Sequence, residues 1–456
     1  MYIKTLKLKN YRNYEEVEVS FDPNINIIYG NNAVGKTNLL ESIYMCSTSK
    51  SHKNTKENDI INFNKNESHI KLIFNVGTNA NLVGADIIHP QFVGANTNTV
   101  GANACGAHAG ESTCGTHVGA SSTSPQIIDI QLNKDSKKGI AKNGIKVEKL
   151  SEFLGFFNVI MFAPEDLNII KDGPMVRRKF LDVEISQTDK VYVQHLQNYH
   201  KTLNQRNSLL KDIYKTTGNN RQDLIDMLDT YDEQLVNYGL EVIKKRKENI
   251  KQLAEKILNI HLLISNNKEK LIVSYENDIL SSLGANANLV RADIIRPQFV
   301  GVNTNTVGAN ACGARVGAST ASPQETYLKK LKETRDLDIK NQYTLVGPHR
   351  DDICFVIDGN DIRKFGSQGQ KKTAAISLKL SELEMLREKI NDTPVLLLDD
   401  VFSELDESRQ KLLVSNLKGI QTIITCTGIK KNIFDLLKPE KIFNVVNNKI
   451  IDKTNP

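Results

Sequence analysis

The chain has 456 residues, 39% of them hydrophobic and 25% charged, with a formal net charge of +6. That length allows two or three domains and a sizeable core, while no run approaches the roughly 18 apolar residues of a membrane span and the start, Met1-Tyr2-Ile3-Lys4-Thr5-Leu6-Lys7, lacks the apolar stretch of a secretory signal. Six cysteines without disulfide-like spacing fit a reducing cytoplasm, and the modest positive charge permits a nucleic-acid partner without requiring one.

The first informative element is Ile25-Asn26-Ile27-Ile28-Tyr29, a short β-prone run. It leads into Gly30-Asn31-Asn32-Ala33-Val34-Gly35-Lys36-Thr37, which fits G-x-x-x-x-G-K-[ST]. A helical pattern with Leu39, Leu40 and Ile43 on one face follows, so the motif stands in the strand–loop–helix setting that a phosphate-binding loop needs. The glycines let backbone N–H groups turn toward phosphate oxygens, and the helix start adds favourable partial charge. Lys36 is expected to reach the β- and γ-phosphates of ATP, and Thr37 to ligate Mg²⁺.

Next comes an internal repeat. Asn79–Ala107 recurs as Asn286–Ala314 with three changes, Gly84/Arg291, His89/Arg296 and Ala95/Val302, and His117–Gln126 recurs as Arg315–Gln324. Neither copy contains a lysine, in a chain otherwise rich in Lys, Asn and Ile. Solenoid repeats stack adjacent units, whereas these lie far apart. They read as copies of a mobile DNA element inserted in frame over 78–126 and 284–324, with a recruited module as the alternative. Their Gly/Ala/Asn richness predicts flexible excursions. Their formal charges cancel, so the whole +6 belongs to the rest of the chain. Cys105, His108, Cys114 and His117 form a C-x-x-H…C-x-x-H series of the kind zinc takes. A near-duplication within the first copy explains the series better, because the second copy has Arg315 in place of a histidine. The first copy interrupts a β-rich region between His69–Val76 and Ile127–Leu132. A hairpin connection would tolerate it, since each doubling of a loop costs only about 0.6 kcal/mol; an interruption within a strand would misfold the head.

Residues Asp189 to Asn267 are helical and charge-rich, split by a turn at Gly218-Asn219-Asn220. Sustained heptads of a long coiled-coil arm are missing, so this reads as a compact inserted lobe. Lys244-Lys245-Arg246-Lys247 and Arg177-Arg178-Lys179 are candidates for phosphate contacts, or else solvated helix faces. Gly366-Ser367-Gln368-Gly369-Gln370 precedes a helix running to about Ile390. Ser367 and Gln370 fit a capping box, and the same hydroxyl and bare glycine at a helix start fit an anion site. Val395-Leu396-Leu397-Leu398 reads as a fully buried parallel strand. It ends in Asp399, the candidate carboxylate acting through Mg²⁺, and Asp400, the candidate to orient or deprotonate the attacking water; paired acids also simply end strands. Ser403-Glu404-Leu405-Asp406 follows.

Walker A, S-x-G-Q, Walker B and S-x-L-D in this order resemble the ABC and SMC-like ATPases. The finer text resembles the RecF family of bacterial DNA replication and repair proteins. The matching passages are Leu8-Lys9-Asn10-Tyr11-Arg12-Asn13-Tyr14, Gly30–Thr37, Phe162-Ala163-Pro164-Glu165-Asp166-Leu167, Leu345-Val346-Gly347-Pro348-His349-Arg350-Asp351-Asp352, Gly366–Gln370 and Leu396–Asp406. The resemblance implies an α/β P-loop ABC/SMC-like ATPase head (1–77, 127–188 and 325–456) with a helical lobe at 189–283 and the two insertions. It implies a slow, DNA-dependent ATPase that dimerises around ATP. Ser367, Gly369 and Gln370 of one protomer would meet the γ-phosphate held by the other's loop, with Arg12 and Asn13 near the nucleotide. It further implies binding to single-stranded, gapped or junction DNA, RecO and RecR as partners, loading of RecA, a part in repair and the SOS response, and a cytoplasmic location without a membrane partner. Several departures set the chain apart from a transporter-type ABC ATPase subunit, the competing reading. Gln368 replaces a glycine of S-G-G-Q, Asp400 stands for the usual Glu, a Thr replaces the switch histidine after Thr422–Thr425, and Pro164-Glu165-Asp166 takes the place of a Q-loop glutamine. A third reading is a repair ATPase disabled by its insertions.

Overall fold

The computed structural model describes residues 1–53, 55–77, 124–218, 220–281, 322–428 and 431–454. Most of both repeats, including the Cys105–His117 series, lies outside the described residues.

The strands are β1 (Tyr2–Tyr11), β2 (Tyr14–Ser20), β3 (Ile25–Tyr29), β4 (Glu67–Asn75), β5 (Gln126–Asn133), β6 (Gly139–Lys142), β7 (Ile145–Lys146), β8 (Val159–Phe162), β9 (Leu271–Glu276), β10 (Asp352–Ile357), β11 (Asn360–Asp361), β12 (Val395–Asp399), β13 (Thr422–Cys426), β14 (Lys441–Val446) and β15 (Lys449–Asp452). They form three sheets. The central one has the order β15-β14-β3-β13-β12-β8. All neighbours in it are parallel except the terminal β14–β15 hairpin. Both of its faces are covered, which is why β12 reads as an unbroken apolar run. Side chains alternate across the sheet. Val395, Leu397, Ile423 and Ile28 face a core shared with the helix Lys36–Thr48 and the antiparallel sheet, while Leu396, Leu398, Ile424 and Ile27 face Ile376, Leu380, Leu383 and Leu386 of the helix Gln368–Ile390.

The antiparallel sheet runs β2-β1-β4-β5-β6-β7. In β4, Ser68, Ile70, Leu72 and Phe74 are buried and the residues between them are not, as expected of a strand with one face on a core. β4 pairs antiparallel with β5 from Glu67↔Asn133 to Phe74↔Gln126. The first repeat therefore joins two partnered strands end to end, and the sheet on either side of it is intact. A third, small sheet has the order β11-β10-β9.

The helices Lys190–Lys215 and Asn220–Ile264 pack against each other as the core of the lobe, with the turn between them where the sequence places it. Helices Pro323–Glu333 and Arg335–Asn341, at the start of the segment assigned above to the head, bury Tyr327 and Leu331 against Tyr199 and Leu235, and Ile339 against Leu209 and Leu210. The chain on both sides of the second repeat thus completes one apolar core. No helix among the described residues is long and apolar enough to cross a membrane.

In each of the two candidate basic runs one arginine is turned inward, while Lys244 and Lys247 stay exposed. Arg246 is buried and donates to Asp182 Oδ1 at 2.7 Å and Pro348 O at 2.6 Å. Arg177 is buried and grips Asp352 with Nε at 2.6 Å and Nη2 at 2.9 Å. Arg246 ties the lobe, and Arg177 the helix Pro174–Ser186, to the Leu345–Asp352 motif, where Asp351 also accepts from Asn277 Nδ2 at 2.5 Å and Tyr199 OH lies 2.6 Å from His349 Nδ1.

Glu184 gives a stability test. It is buried on the helix Pro174–Ser186, with Oε1 accepting from Asn249 Nδ2 at 3.3 Å and Oε2 without a partner. Burial, reinforced by Glu382, pushes its carboxyl up to about 8. A folded-state value above the unfolded one means the native state holds the proton more tightly. The associated stability is present below the ordinary carboxylate range and lost as pH rises toward 8, by at most about 1.4 kcal/mol per pH unit. Glu184→Gln should flatten this slope in urea unfolding between pH 5 and 8. Parallel wild-type and variant profiles would remove Glu184 as its source.

Candidate functional site

Four segments meet at the carboxyl edge of the parallel sheet, the edge where open α/β sheets place ligands. The loop Gly30–Gly35 leaves β3 and enters the helix Lys36–Thr48, whose apolar stripe, Leu39, Leu40 and Ile43, is fully buried. Gly30 is required because a Cβ there would lie 2.6 Å from Val445 O. Gly35 has φ +104° and presses on Asn13, whose Nδ2 would be 2.3 Å from a Cβ. The crown of the loop, Asn31, Asn32 and Ala33, is exposed, and Val34 is half-buried. Lys36 Nζ reaches back to Gly30 O at 2.7 Å and Asn31 O at 2.8 Å. Burial pushes its ammonium below the usual lysine range, against the pull of Asp400 and Asp399.

Thr37 Oγ1 donates to Asp399 Oδ1 at 3.0 Å, so the loop and the end of β12 meet across the intervening strand β13. Thr425 on β13 donates to the same Oδ1 at 2.6 Å, and its Oγ1 accepts the Asp400 backbone N–H at 3.2 Å. Thr425 therefore fixes both acids. The sequence alone marks Thr425 only as the end of a strand, with the switch-position threonine after it. Asp400 adopts φ +51° as the chain leaves the strand, and burial raises its carboxyl above the ordinary range. A raised carboxylate is a better proton acceptor than an ordinary one. Thr37 and Asp399 together make the hard-oxygen pair that a magnesium ion takes.

The β1–β2 turn delivers Asn13 to the loop. Its Nδ2 donates to Val34 O at 3.1 Å, and its Oδ1 accepts from Asn38 Nδ2 at 2.8 Å. Arg12 points elsewhere. Its guanidinium holds Glu41, which is fully buried one turn along the helix, with Nε–Oε2 2.9 Å and Nη2–Oε1 2.7 Å, and it also donates to Asp59 O. Burial works against the Glu41 charge, yet hydrogen bonds from Arg12 and Ser51 hold its carboxyl below the usual range. Arg12 thus braces the helix behind the loop.

Ser367, Gly369 and Gln370 lie at the start of the helix Gln368–Ile390. Ser367 Oγ accepts from Gln370 N at 3.2 Å, and Gln370 Oε1 accepts from Ser367 N at 2.8 Å, the expected capping box. Ser367 and Gly369 are exposed, and a Cβ on Gly369 would meet nothing nearer than 3.8 Å. None of the three has a hydrogen bond to the chain's own phosphate loop; the set is split into two surfaces. A cleft lined by Asn158, Gln187, Lys389 and Asp392 opens at the opposite edge of the same sheet and touches none of these residues.

A family model described as an AAA domain matches residues 5–270. The DNA replication and repair protein RecF of Agathobacter rectalis is 40% identical over 450 residues, 99% of each chain. That of Clostridium tetani is 37% identical over 99% of this chain and 100% of its own. The solved structure of the recombination mediator protein RecF with ATP, in the RecFOR pathway, aligns with TM-score 0.75 at 31% identity, over 99% of this chain and 97% of that one.

Proposed function

The chain belongs to the RecF family of DNA replication and repair proteins, and from that premise we propose that it is an ATP-gated DNA-binding factor whose ATP site is shared between two copies. Gly30–Thr37 binds the triphosphate, with Lys36 on the β- and γ-phosphates. Thr37 and Asp399 would hold Mg²⁺, which would neutralise phosphate charge when bound. Asp400 orients or accepts a proton from the attacking water, giving slow hydrolysis. Ser367, Gly369 and Gln370 complete the site from the second protomer. In the same reading the DNA is single-stranded, gapped or at a junction, and the protein acts with RecO and RecR in loading RecA, as the RecFOR context of its structural relatives supports.

The observation that carries this reading is the division of the site. The loop with its acids, and the exposed signature end, belong to one chain yet do not touch. Ser367→Arg tests it. The substitution removes the capping hydroxyl, a loss of about 1 kcal/mol to the helix end, and fills the exposed surface a phosphate would dock on. A single protomer should still bind fluorescent ATP within about twofold, while ATP-driven dimerisation in sedimentation should weaken more than about tenfold. Wild-type dimerisation in the variant would reject the shared site.

A further inference from the structure

The signature end is held by a residue outside every motif. Gln370 Nε2 donates to Glu269 Oε1 at 3.0 Å. Its Oε1 is already engaged by the Ser367 backbone N–H, so the two bonds fix the amide plane and leave one N–H of Nε2 to point outward. Glu269 sits in the tight turn that ends the 45-residue helix Asn220–Ile264 of the lobe. Asn266 and Asn267 take positive φ there, and Ser265 Oγ bonds both the N–H and the C=O of Glu269 at 3.3 Å. Four residues earlier, His261 is fully buried with Nδ1 3.0 Å from Ser377 Oγ. Ser377 spends its own hydrogen on Thr373 O at 2.8 Å, so the histidine donates and the end of the long helix is registered on the signature helix. Thr373 Oγ1 in turn donates to Gly369 O at 2.9 Å and accepts from Arg409, whose guanidinium also pairs with Asp406 of the S-x-L-D segment.

We propose that Glu269 is a positioning residue for the shared ATP site: it presents the Gln370 amide to the partner's nucleotide and makes that presentation depend on where the lobe's long helix ends. This rests on the shared-site reading above. A carboxylate is the right residue for the task. As a charged acceptor it holds an amide N–H more firmly than a neutral group does, and it accepts only, so it cannot compete with Gln370 as a phosphate donor. Glu269, just beyond the end of the lobe's longest helix, is the contact between that helix end and Gln370 of the signature.

The test compares Glu269→Ala with Glu269→Gln in the full chain with Mg²⁺ and ATP. The alanine variant loses the acceptor; the glutamine variant keeps an Oε1 in the same place without the charge. Glu269→Ala should bind fluorescent ATP as wild type when monomeric, melt within a few degrees of wild type, and dimerise with ATP about tenfold more weakly, with kcat reduced in proportion. Glu269→Gln should recover most of both. Unchanged or tighter dimerisation in Glu269→Ala overturns the proposal. So does a glutamine variant as weak as the alanine one, since the hydrogen bond would then not be the cause. If Glu269→Ala melts far below wild type, the glutamine variant decides alone: near-normal dimerisation supports the proposal and an alanine-like loss ends it. A wild-type protein that fails to dimerise with ATP would instead remove the shared-site reading on which the proposal stands.

Discussion

Lys36→Ala is expected to abolish ATP-gated DNA binding while leaving the fold in place. The Lys36 ammonium touches only the loop carbonyls of Gly30 and Asn31, so its loss removes no contact with the core. Both carbonyls belong to the loop itself, Asn31 exposed and Gly30 half-buried. What disappears is the one cation the loop aims at a phosphate. Removing a preorganised donor from such a site costs about 2.7–4 kcal/mol, or about 10²–10³-fold. The loss should be large here because burial already strips water from the ammonium, so its charge is screened little when phosphate arrives. Nucleotide titration and binding to gapped DNA, with and without ATP, measure both halves. ATP-stimulated DNA binding of normal strength in the variant would show that the loop does not gate DNA.

The elements around this lysine were legible because their signals are local. A continuous apolar run with acids at its end, a glycine loop between strand and helix, and S-x-x-Q before a helical stretch each specify their own geometry. What the sequence left obscure is which way neighbouring side chains turn. In Lys244–Lys247 successive residues point about 100° apart around the helix, and Arg246 falls on the stripe of Gly239, Val242, Ile243, Asn249, Ile250 and Leu253, all buried. Arg177 lies likewise in line with Leu181, Glu184 and Ile185. Periodicity could have flagged both as inward-facing; their partners, Asp182 and Asp352, could not be found without the fold. Arg12 and Asn13 are adjacent in a hairpin turn and so diverge, one to brace Glu41 and one to hold the loop. The repeats teach the same lesson. Both copies end in Ser-Pro-Gln, at Ser124–Gln126 and Ser322–Gln324. The first tripeptide enters β5, where Ile127, Ile128 and Ile130 follow. The second caps a helix, because Glu325 supplies the other half of a capping box with Ser322. The shared text thus runs into folded chain at both places, a strand in one and a helix in the other, and the residues beyond it decide which.

The second large effect concerns how chain before the second repeat is joined to chain after it. Arg206, Asp232 and Asp338 are all fully buried. Arg206 Nε lies 2.7 Å from Asp232 Oδ1, and its Nη1 lies 2.7 Å from Asp338 Oδ2 and 2.9 Å from Thr344 Oγ1. Arg335 meets the remaining oxygen of Asp232 at 2.7 Å, and the Leu345 N–H meets that of Asp338 at 3.0 Å. Arg206 and Asp232 precede the repeat; Asp338, Arg335 and Thr344 follow it. The network therefore joins chain that precedes the repeat to chain that follows it, and the length of the connection between joined segments matters little, since closure cost grows only with the logarithm of loop length. Arg206→Ala leaves two carboxylates in a dry interior. Breaking a buried pair from one side costs about 3–5 kcal/mol, a large part of a typical domain's stability. The Asp338 carboxyl is already raised by burial in the presence of Arg206, so the variant should take up protons and lose least stability at acid pH. Replacing Arg206, Asp232 and Asp338 together by apolar residues should cost far less than the single change, because well-packed apolar groups match buried charges in stability. Urea unfolding of the single and triple variants separates the two. A single variant within about 1 kcal/mol of wild type, below the range for a broken buried pair, would mean that apolar packing of Tyr327, Leu331 and Ile339, rather than this network, joins the chain on either side of the repeat.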